Sequence, residues 1–393
     1  MILDLIFCLF VLVFGYRFIY KFKTLNLYDR KLLKRLFIYH LIVGIGFYLF
    51  IINSGGDATN YWFKTYGFRF YEFNDVMAEI SSGSATGYVL LLNYIPAKVL
   101  GLSFLSGSIL YTILGFCGFV YFYMILKSKV FNIYALNRVK ILGLPIFPGL
   151  LFLPNLHFWS SGVGKDTILF FCIALFFYSS LRISKRFVGI SISLILSFLI
   201  RPHITLFMFM AVGLGVAFDG KLKFYQKVFI TLISVVVFIS AVNYILNFVQ
   251  LENLDAESVE RYSDTMSGNL QNERTTSSVD TSSFPYPLKI FTFLFRPLFF
   301  DASGVLGIVS SVENLILLLF FIKIMRNKVL KGFKSSSFII KASGFLFLMG
   351  ALSFSLILGN LGIMLRQKTP FIMMLIIFGY SIILMRKQGK LTK

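Results

Sequence analysis

The chain has 393 residues, of which 57% are apolar and only 14% charged, and its formal net charge is +21 at pH 7. This charged fraction is too small to wet the surface of a soluble protein of this length, so a soluble globular protein is excluded. Repeated apolar runs of about 17–25 residues, the length that crosses a hydrocarbon core of about 30 Å, predict an all-α polytopic transmembrane helix bundle.

Eleven membrane-spanning helices are predicted, in a single transmembrane domain that covers residues 1–393. They lie near residues 2–20, 36–52, 107–126, 141–154, 167–181, 188–200, 204–218, 228–249, 304–322, 344–358 and 369–385. The first span lacks the basic start and the small-residue cleavage site of a signal peptide, so we expect it to be retained. The fourth span is short and interrupted by proline. The three cysteines fall within apolar runs, which is typical of core residues and not of a disulfide framework.

Two long segments between the spans are expected outside the membrane. Residues 53–106 are predicted to form an outer loop with juxtamembrane helices. Within it Tyr88–Leu105 is apolar but is broken by a proline and a lysine, which favours an interfacial or re-entrant helix over a crossing. Residues 250–287 form a large hydrophilic loop, predicted to be extracytoplasmic. Leu288–Asp301 is apolar and too short to span, so it is predicted to be a second interfacial element.

The basic residues concentrate in alternate loops. These loops are Lys21–Arg35, Lys127–Lys140, Arg182–Arg186, Lys221–Lys227, Lys323–Lys341 and the C-terminal tail. The positive-inside rule places them in the cytoplasm, with the N-terminus outside and the C-terminus inside. Membrane orientation then accounts for the net positive charge, and no nucleic-acid partner is expected.

Asp57 is a candidate general base. It follows Gly55 and Gly56 at the predicted outer end of the second span, and Tyr61 and Trp62 come one helical turn later. A carboxylate kept ionised by nearby positive groups can accept a proton from a substrate hydroxyl, and the glycines allow close approach to the backbone. In the alternative interpretation Asp57 caps a juxtamembrane helix, and the two aromatic residues belong to the interfacial aromatic belt.

Lys165 and Asp166 stand where the polar turn Ser160–Gly164 meets the fifth span, and this turn is predicted to lie on the outer face of the membrane. The glycine spacing does not match a nucleotide-binding P-loop. Free N–H groups at the start of a helix, with a lysine beside them, favour an anion. Alternatively, Lys165 snorkels to lipid headgroups and Asp166 caps the helix.

Arg201, Pro202 and His203 lie between the sixth and seventh spans. Arginine at membrane depth is costly unless it is paired or lies in a wet cavity, so Arg201 is a functional candidate. The proline would free backbone groups to line such a cavity, and His203 is a candidate acid or base. An interfacial turn at lipid phosphates is the alternative. No metal-ligand spacing is present, so neither a metal nor another cofactor is predicted. His40 is expected to be structural.

Five further candidates come from the C-terminal half. Arg296 and Asp301 flank a short apolar element, and Arg366 and Lys368 occupy the last outer turn. Glu313 lies well inside the ninth span, where a carboxylate needs a partner, and we expect that partner to be Arg296 or Arg366. Cations beside a carboxylate suit an anionic leaving group together with a base.

With the sequence GGDATNYW at Asp57, the interfacial stretch up to Ser106 and the large loop 250–287, the chain resembles bacterial polysaccharide polymerases and C-type glycosyltransferases. It departs from the usual C-type pattern because the acid follows the second span and no paired Asp-Glu is present. The resemblance implies polymerisation of undecaprenyl-pyrophosphate-linked oligosaccharide repeat units, as in O-antigen, capsule or exopolysaccharide synthesis. It implies a location in the bacterial cytoplasmic membrane, with transfer at its outer face.

The resemblance also implies roles for the candidate residues. Asp57, Asp166 and His203 would be catalytic, and Lys165, Arg201, Arg296, Arg366, Lys368, Tyr61, Trp62, Trp159, Asp301 and Glu313 would bind substrate, with the cations on the pyrophosphate and the three aromatic residues stacked on sugars. The partners would be the lipid-linked donor and acceptor, membrane lipids and a chain-length regulator or other polysaccharide-assembly protein. Two alternatives stay open: a single-sugar transferase or ligase with the same donor, and a flippase for lipid-linked oligosaccharides.

Overall fold

The structure, a computed structural model, describes residues 2–66, 72–129, 133–219, 223–249, 279, 281, 283–302 and 304–387. Over these ranges almost all secondary structure is helical, and one short β-hairpin is present. Seven of the described helices are long and apolar enough to cross a membrane, by length and composition. The predicted all-α class and the multi-pass membrane character are thereby confirmed. Most of the predicted hydrophilic loop 250–287 lies outside the described residues.

The α-helices of the described ranges are α1 (Ile2–Phe18), α2 (Leu27–Ser54), α3 (Asp57–Tyr66), α4 (Phe73–Ser81), α5 (Ala85–Asn93), α6 (Phe104–Lys129), α7 (Pro154–Phe158), α8 (Lys165–Ser180), α9 (Ile183–Ile200), α10 (Pro202–Ala217), α11 (Phe224–Val249), α12 (Tyr286–Phe295), α13 (Gly304–Met325), α14 (Val329–Ser335), α15 (Phe338–Ile357) and α16 (Leu361–Lys387). Short 3₁₀ helices cover Ile19–Lys21, Ile133–Arg138 and Gly149–Phe152, and a π-helical turn covers Tyr94–Val99. Each predicted span except the fourth falls on one of these α-helices.

The predicted fourth span, residues 141–154, is not an α-helix. Strands β1 (Lys140–Ile141) and β2 (Leu144–Pro145) form an antiparallel hairpin there, and a 3₁₀ helix and the five-residue α7 follow. The stretch contains three prolines. Proline has no backbone N–H and restricts the residue before it, so apolar composition alone does not produce a helix here.

Contacts within the chain define two compact units. The first comprises Met1–Met124 and Leu156–Pro202, and the second comprises Ile125–Asn155 and His203–Lys393. The first therefore holds α1 to α5, most of α6, α8 and α9. The second holds the β-hairpin and α10 to α16.

In the first unit, the described residues between α2 and α6 form three short helices and a π-helical turn. α3 packs on α5 and on Tyr94–Val99, and α4 packs on α5. Trp62 is fully buried, because its ring fills the space above Gly107 of α6 and its Nε1 donates to the carbonyl of Leu102 at 3.2 Å. These contacts fix α3, the helix that begins at Asp57, against the start of α6.

In the second unit, α12 packs against α13, α15 and α16. The ring of Phe293 on α12 stacks on Phe354 of α15, with centroids 6.2 Å apart. A tight crossing holds α15 to α16, because a Cβ added at Gly350 would lie 2.4 Å from the ring of Phe371. The short apolar α12 is therefore held between longer helices.

Candidate functional site

The Ser160–Gly164 turn, which the sequence predicts on the outer side of the membrane, is buried between helices. A Cβ added at Gly162 would lie 2.3 Å from the ring of Phe47 on α2. On the other side, a Cβ added at Gly115 of α6 would lie 1.8 Å from the carbonyl oxygen of Ser160. The turn is thus inserted between α2 and α6 at positions that only glycine leaves open, and irregular backbone in a membrane protein requires such cover.

Two histidines anchor the chain just before this turn. Nδ1 of His157 lies 2.8 Å from Nδ1 of His40 on α2, and the His157 ring stacks on Phe119 of α6 at 4.2 Å. Nε2 of His40 lies 2.9 Å from the carbonyl oxygen of Thr112. Because a carbonyl only accepts, we assign the proton of His40 to Nε2, and in a neutral pair His157 then donates to His40. These contacts give His40 a structural role and reveal its partner, which the sequence did not.

Lys165, Asp166 and Arg201 come together at the start of α8. Arg201 ends α9, which packs beside α8, and its Nη2 lies 3.3 Å from Oδ1 of Asp166, with both side chains 16% exposed. Nζ of Lys165 donates to Oγ1 of Thr86 at 3.1 Å and lies 5.8 Å from the centre of the Tyr61 ring. We call these three charged residues the α8 cluster. Its two cations and one carboxylate stand at a helix N-terminus that has no side-chain cap, so the local potential is positive.

Asp57 belongs to a helix that touches the same place. It is exposed and begins α3 directly after Gly55 and Gly56, whose φ values of +72° and +142° favour glycine. Tyr61 lies one turn later on the same face of α3, and a Cβ added at Gly164 would lie 3.1 Å from its ring. The helix that carries Asp57 therefore packs against the turn that leads to the α8 cluster.

The aromatic residues predicted to stack on sugars differ in their surroundings. Tyr61 is 7% exposed and Trp62 is fully buried, because both pack α3 onto its neighbours. That burial contradicts the stacking role predicted for these two. Trp159 is half-buried beside Phe158, and its Nε1 has no hydrogen-bond partner among the described residues. Trp159 remains a candidate for contact with a ligand.

Glu313, in the second unit, has a partner that the sequence did not indicate. Its carboxylate accepts from the backbone N–H of Asn155 at 2.8 Å and from the Asn155 side-chain amide at 2.5 Å. The same amide donates to Ser310 at 3.1 Å. The predicted pairing of Glu313 with Arg296 or Arg366 is wrong over the described part of the chain. Asn155, at the start of the short α7, supplies the donors that a buried carboxylate requires.

Arg296 instead forms a bidentate pair with Asp301. Its Nε and Nη2 atoms lie 2.9 Å and 2.5 Å from the two oxygens of Asp301, and the N–H of Leu298 donates to the same carboxylate at 3.0 Å. Burial tends to raise the pKa of Asp301, but the guanidinium and the backbone N–H hold it below its usual value. This pair closes the loop after α12.

Lys368 closes the end of α12 from the opposite side. Its buried ammonium donates to the carbonyls of Leu294 at 2.9 Å and Arg296 at 3.3 Å, and to the side-chain oxygen of Asn314 at 2.8 Å. An ammonium has three N–H donors, so protein oxygens occupy all of them. Lys368 therefore holds the last carbonyls of α12 and has no donor left for the pyrophosphate that the sequence had assigned to it.

Arg366 and His203, the remaining predicted site residues, lie on helices of the second unit. Arg366 is half-buried in the first part of α16. His203 is half-buried at the start of α10, with its ring near Phe207 and Phe354 at 6.3 Å and 6.0 Å between centroids. The predicted site residues are thus distributed over both units, with Asp57, Trp159 and the α8 cluster in the first.

Several polar contacts of these sites were not predicted. They come from Thr86, Asn155, His157 and Asn314. Thr86 lies in a segment rich in Ser and Gly, whereas the other three are polar residues in largely apolar stretches. Their position in such stretches is the signal that could have identified them, because a polar side chain among apolar ones needs a partner. The described residues include no group of three or more His, Cys, Asp or Glu side chains arranged to hold a metal ion. Comparison with known proteins gives no match to a family model, a curated protein or a solved structure.

Proposed function

We propose that this chain is a membrane glycosyltransferase that polymerises undecaprenyl-pyrophosphate-linked oligosaccharide repeat units at the outer face of a bacterial cytoplasmic membrane. The observation that carries the proposal is the α8 cluster beside the helix of Asp57. Two cations, a carboxylate and an uncapped helix N-terminus meet there, in a protein with many helices of membrane-crossing length. A pyrophosphate on an isoprenoid tail has the matching chemistry, an anion attached to a lipid.

In the proposed mechanism Asp57 accepts the proton of an acceptor hydroxyl. The hydroxyl oxygen forms a bond to the anomeric carbon of the donor as the bond from that carbon to the pyrophosphate oxygen breaks. Lys165 and Arg201 bind the departing pyrophosphate and stabilise its charge. Asp166 positions Arg201 through their ion pair, and the direct displacement inverts the anomeric configuration.

All residues of this mechanism lie in the first unit. In the second unit, Arg296 and Arg366 stay proposed pyrophosphate ligands and His203 a proposed acid or base, but the reaction above does not require them. Trp159 is the proposed sugar contact, since its indole N–H has no acceptor among the described residues. A chain-length regulator remains a proposed partner, and no cofactor is part of the proposed mechanism.

The proposed topology keeps eleven crossings, with the N-terminus outside and the C-terminus in the cytoplasm. The fourth crossing is assigned to the hairpin, the 3₁₀ helix and α7. This assignment is supported by the contacts of His157, Ser160 and Ser161 with α6. Along the chain these contacts move from Phe119 through Gly115 to Thr112, so residues 157–161 run antiparallel to α6.

The experiment is a transfer assay with the full-length protein in lipid vesicles and a lipid-linked pyrophosphate donor. Arg201→Gln removes a cation that would hold the leaving group, and the loss of one such donor typically costs about 10²–10³-fold in rate. Arg182→Gln is the matched control, because Arg182 is exposed between α8 and α9. Polymer formed at the normal rate by the Arg201 variant would remove the assignment.

A flippase for the same lipid-linked unit is the second candidate. The buried non-helical turn at Ser160–Gly164 favours it, because transporters use interrupted helices to line a path through the membrane. Loss of a flippase traps the lipid-linked unit in the inner leaflet. Loss of a polymerase leaves single units displayed on the outer side. Loss of a single-sugar transferase or a ligase instead leaves its own acceptor unmodified, and the identity of that acceptor distinguishes the two.

A further inference from the structure

A pocket of about 390 Å³ opens in the second unit between the β-hairpin, the end of α13 and α16. Its polar rim includes Lys140 from the hairpin and Lys323 and Arg326 from the end of α13, and its apolar wall includes Leu319 and Ile322. Among the residues that the structure describes, three cations and no acid line the pocket, so its charge calls for an anionic occupant.

The helix dipole explains the two cations at the end of α13, but it does not explain Lys140. Lys323 and Arg326 lie where the carbonyl end of α13 favours positive charge. Lys140 belongs to another element, and its placement beside them adds like-charge repulsion, which an anion bound between the three would relieve.

The apolar wall of the pocket indicates that the anionic ligand also carries a hydrocarbon chain. Leu319 and Ile322 lie about one turn apart on α13, a helix of membrane-crossing length. Beside them the hairpin exposes two leucines, Leu142 by 85% and Leu144 by 71%. Leu142 has a φ of +50°, a conformation that a leucine rarely adopts. Exposed leucines at a turn tip are favourable in an acyl-chain environment and unfavourable in water.

We propose that this pocket binds an anionic phospholipid, with its phosphate held by Lys140, Lys323 and Arg326 and one acyl chain along Leu319 and Ile322. Basic pockets between helices on the cytoplasmic side are typical sites for anionic headgroups, and the basic loops that supply these cations are predicted to be cytoplasmic. The glycan carrier of the proposed reaction acts at the opposite face. The bound lipid links the hairpin to α13.

The test is a lipid titration of the full-length protein in detergent, followed by native mass spectrometry with phosphatidylglycerol, phosphatidylcholine and undecaprenyl phosphate as separate probes. The variant carries Lys140→Gln, Lys323→Gln and Arg326→Gln. Its matched control carries Lys328→Gln, Lys331→Gln and Lys334→Gln, which remove the same charge from exposed positions at the start of α14 and within it. Each cation near an anionic surface contributes about fivefold in affinity, so the pocket variant should bind phosphatidylglycerol roughly 100-fold more weakly.

Retention of phosphatidylglycerol by the wild type and the control, with loss in the pocket variant, is the expected result. Equal losses in the two triple variants would overturn the proposal, since binding would then follow net charge alone. Undecaprenyl phosphate binding in place of phosphatidylglycerol would also overturn it and would assign the pocket to the carrier. Should the triple variant fail to fold, Lys140→Gln on the exposed hairpin is measured alone, with about a fivefold loss expected and an unchanged affinity counting against the site.

Discussion

At the scale of single residues, close packing of glycines decides where the candidate site lies. Gly115 on α6 and Gly162 in the turn leave space for a backbone carbonyl and for the ring of Phe47. The turn can therefore lie between α2 and α6 and deliver Lys165 to Thr86 and Tyr61. The α8 cluster depends on these glycines, although neither glycine carries chemistry.

Replacement of Gly115 by alanine tests this packing. Because the new Cβ would lie 1.8 Å from the Ser160 carbonyl oxygen, α6 and the turn must move apart, and we expect a loss of about 1–3 kcal/mol in stability. Gly46→Ala on α2 is the matched control, since nothing lies within 4 Å of the added Cβ, and it should be neutral or slightly stabilising. Thermal unfolding in detergent measures both, and equal midpoints would contradict the packing described.

At the scale of elements, hydropathy predicted most helices correctly and failed where proline and turn chemistry control the backbone. Residues 141–154 are as apolar as a span, yet their three prolines and the Leu142-Gly143 turn produce a hairpin. The pairing of Glu313 with Asn155 could not be predicted either, because the two residues are 158 positions apart and many polar residues were available to either one.

The end of α12 provides a prediction at this scale. Lys368→Met would leave the carbonyls of Leu294 and Arg296 and the amide oxygen of Asn314 without their buried donor. Removal of a buried charged partner costs about 3–5 kcal/mol, so we expect strong destabilisation and faster proteolysis of the loop after α12. Lys289→Met, on α12 itself and half-buried, is the control and should change stability little. A stable Lys368 variant with an intact loop would show that this contact is dispensable.

At the scale of the whole molecule, charge placement predicts which loops share a side of the membrane, and one pocket is consistent with that prediction. The loops 127–140 and 323–341 are both predicted to be cytoplasmic, and Lys140 lies in one pocket with Lys323 and Arg326. The composition also predicted a multi-pass membrane protein. The sequence could not predict which side of α3 is buried. Aromatic residues near a membrane interface occur on packed and on exposed helix faces alike, and Tyr61 and Trp62 lie on the packed face.

Cysteine labelling tests the proposed orientation. In a Cys8→Ser background, where Cys117 and Cys172 are buried, Asn137→Cys and Asn60→Cys each place one thiol at an exposed position. A membrane-impermeant maleimide applied to intact cells should label position 60 at once and position 137 only after permeabilisation. Labelling of both from the same side would contradict the crossing assigned to α6.

The most direct test of the central claim compares donor binding with sugar transfer in the Asp57→Asn variant. If Asp57 is the base and the α8 cluster binds the pyrophosphate, the variant should bind the lipid-linked donor with wild-type affinity, while transfer falls by about 10²–10⁴-fold. Arg201→Gln in the same assay should weaken donor binding as well. Transfer at the wild-type rate by the Asp57 variant would contradict the account.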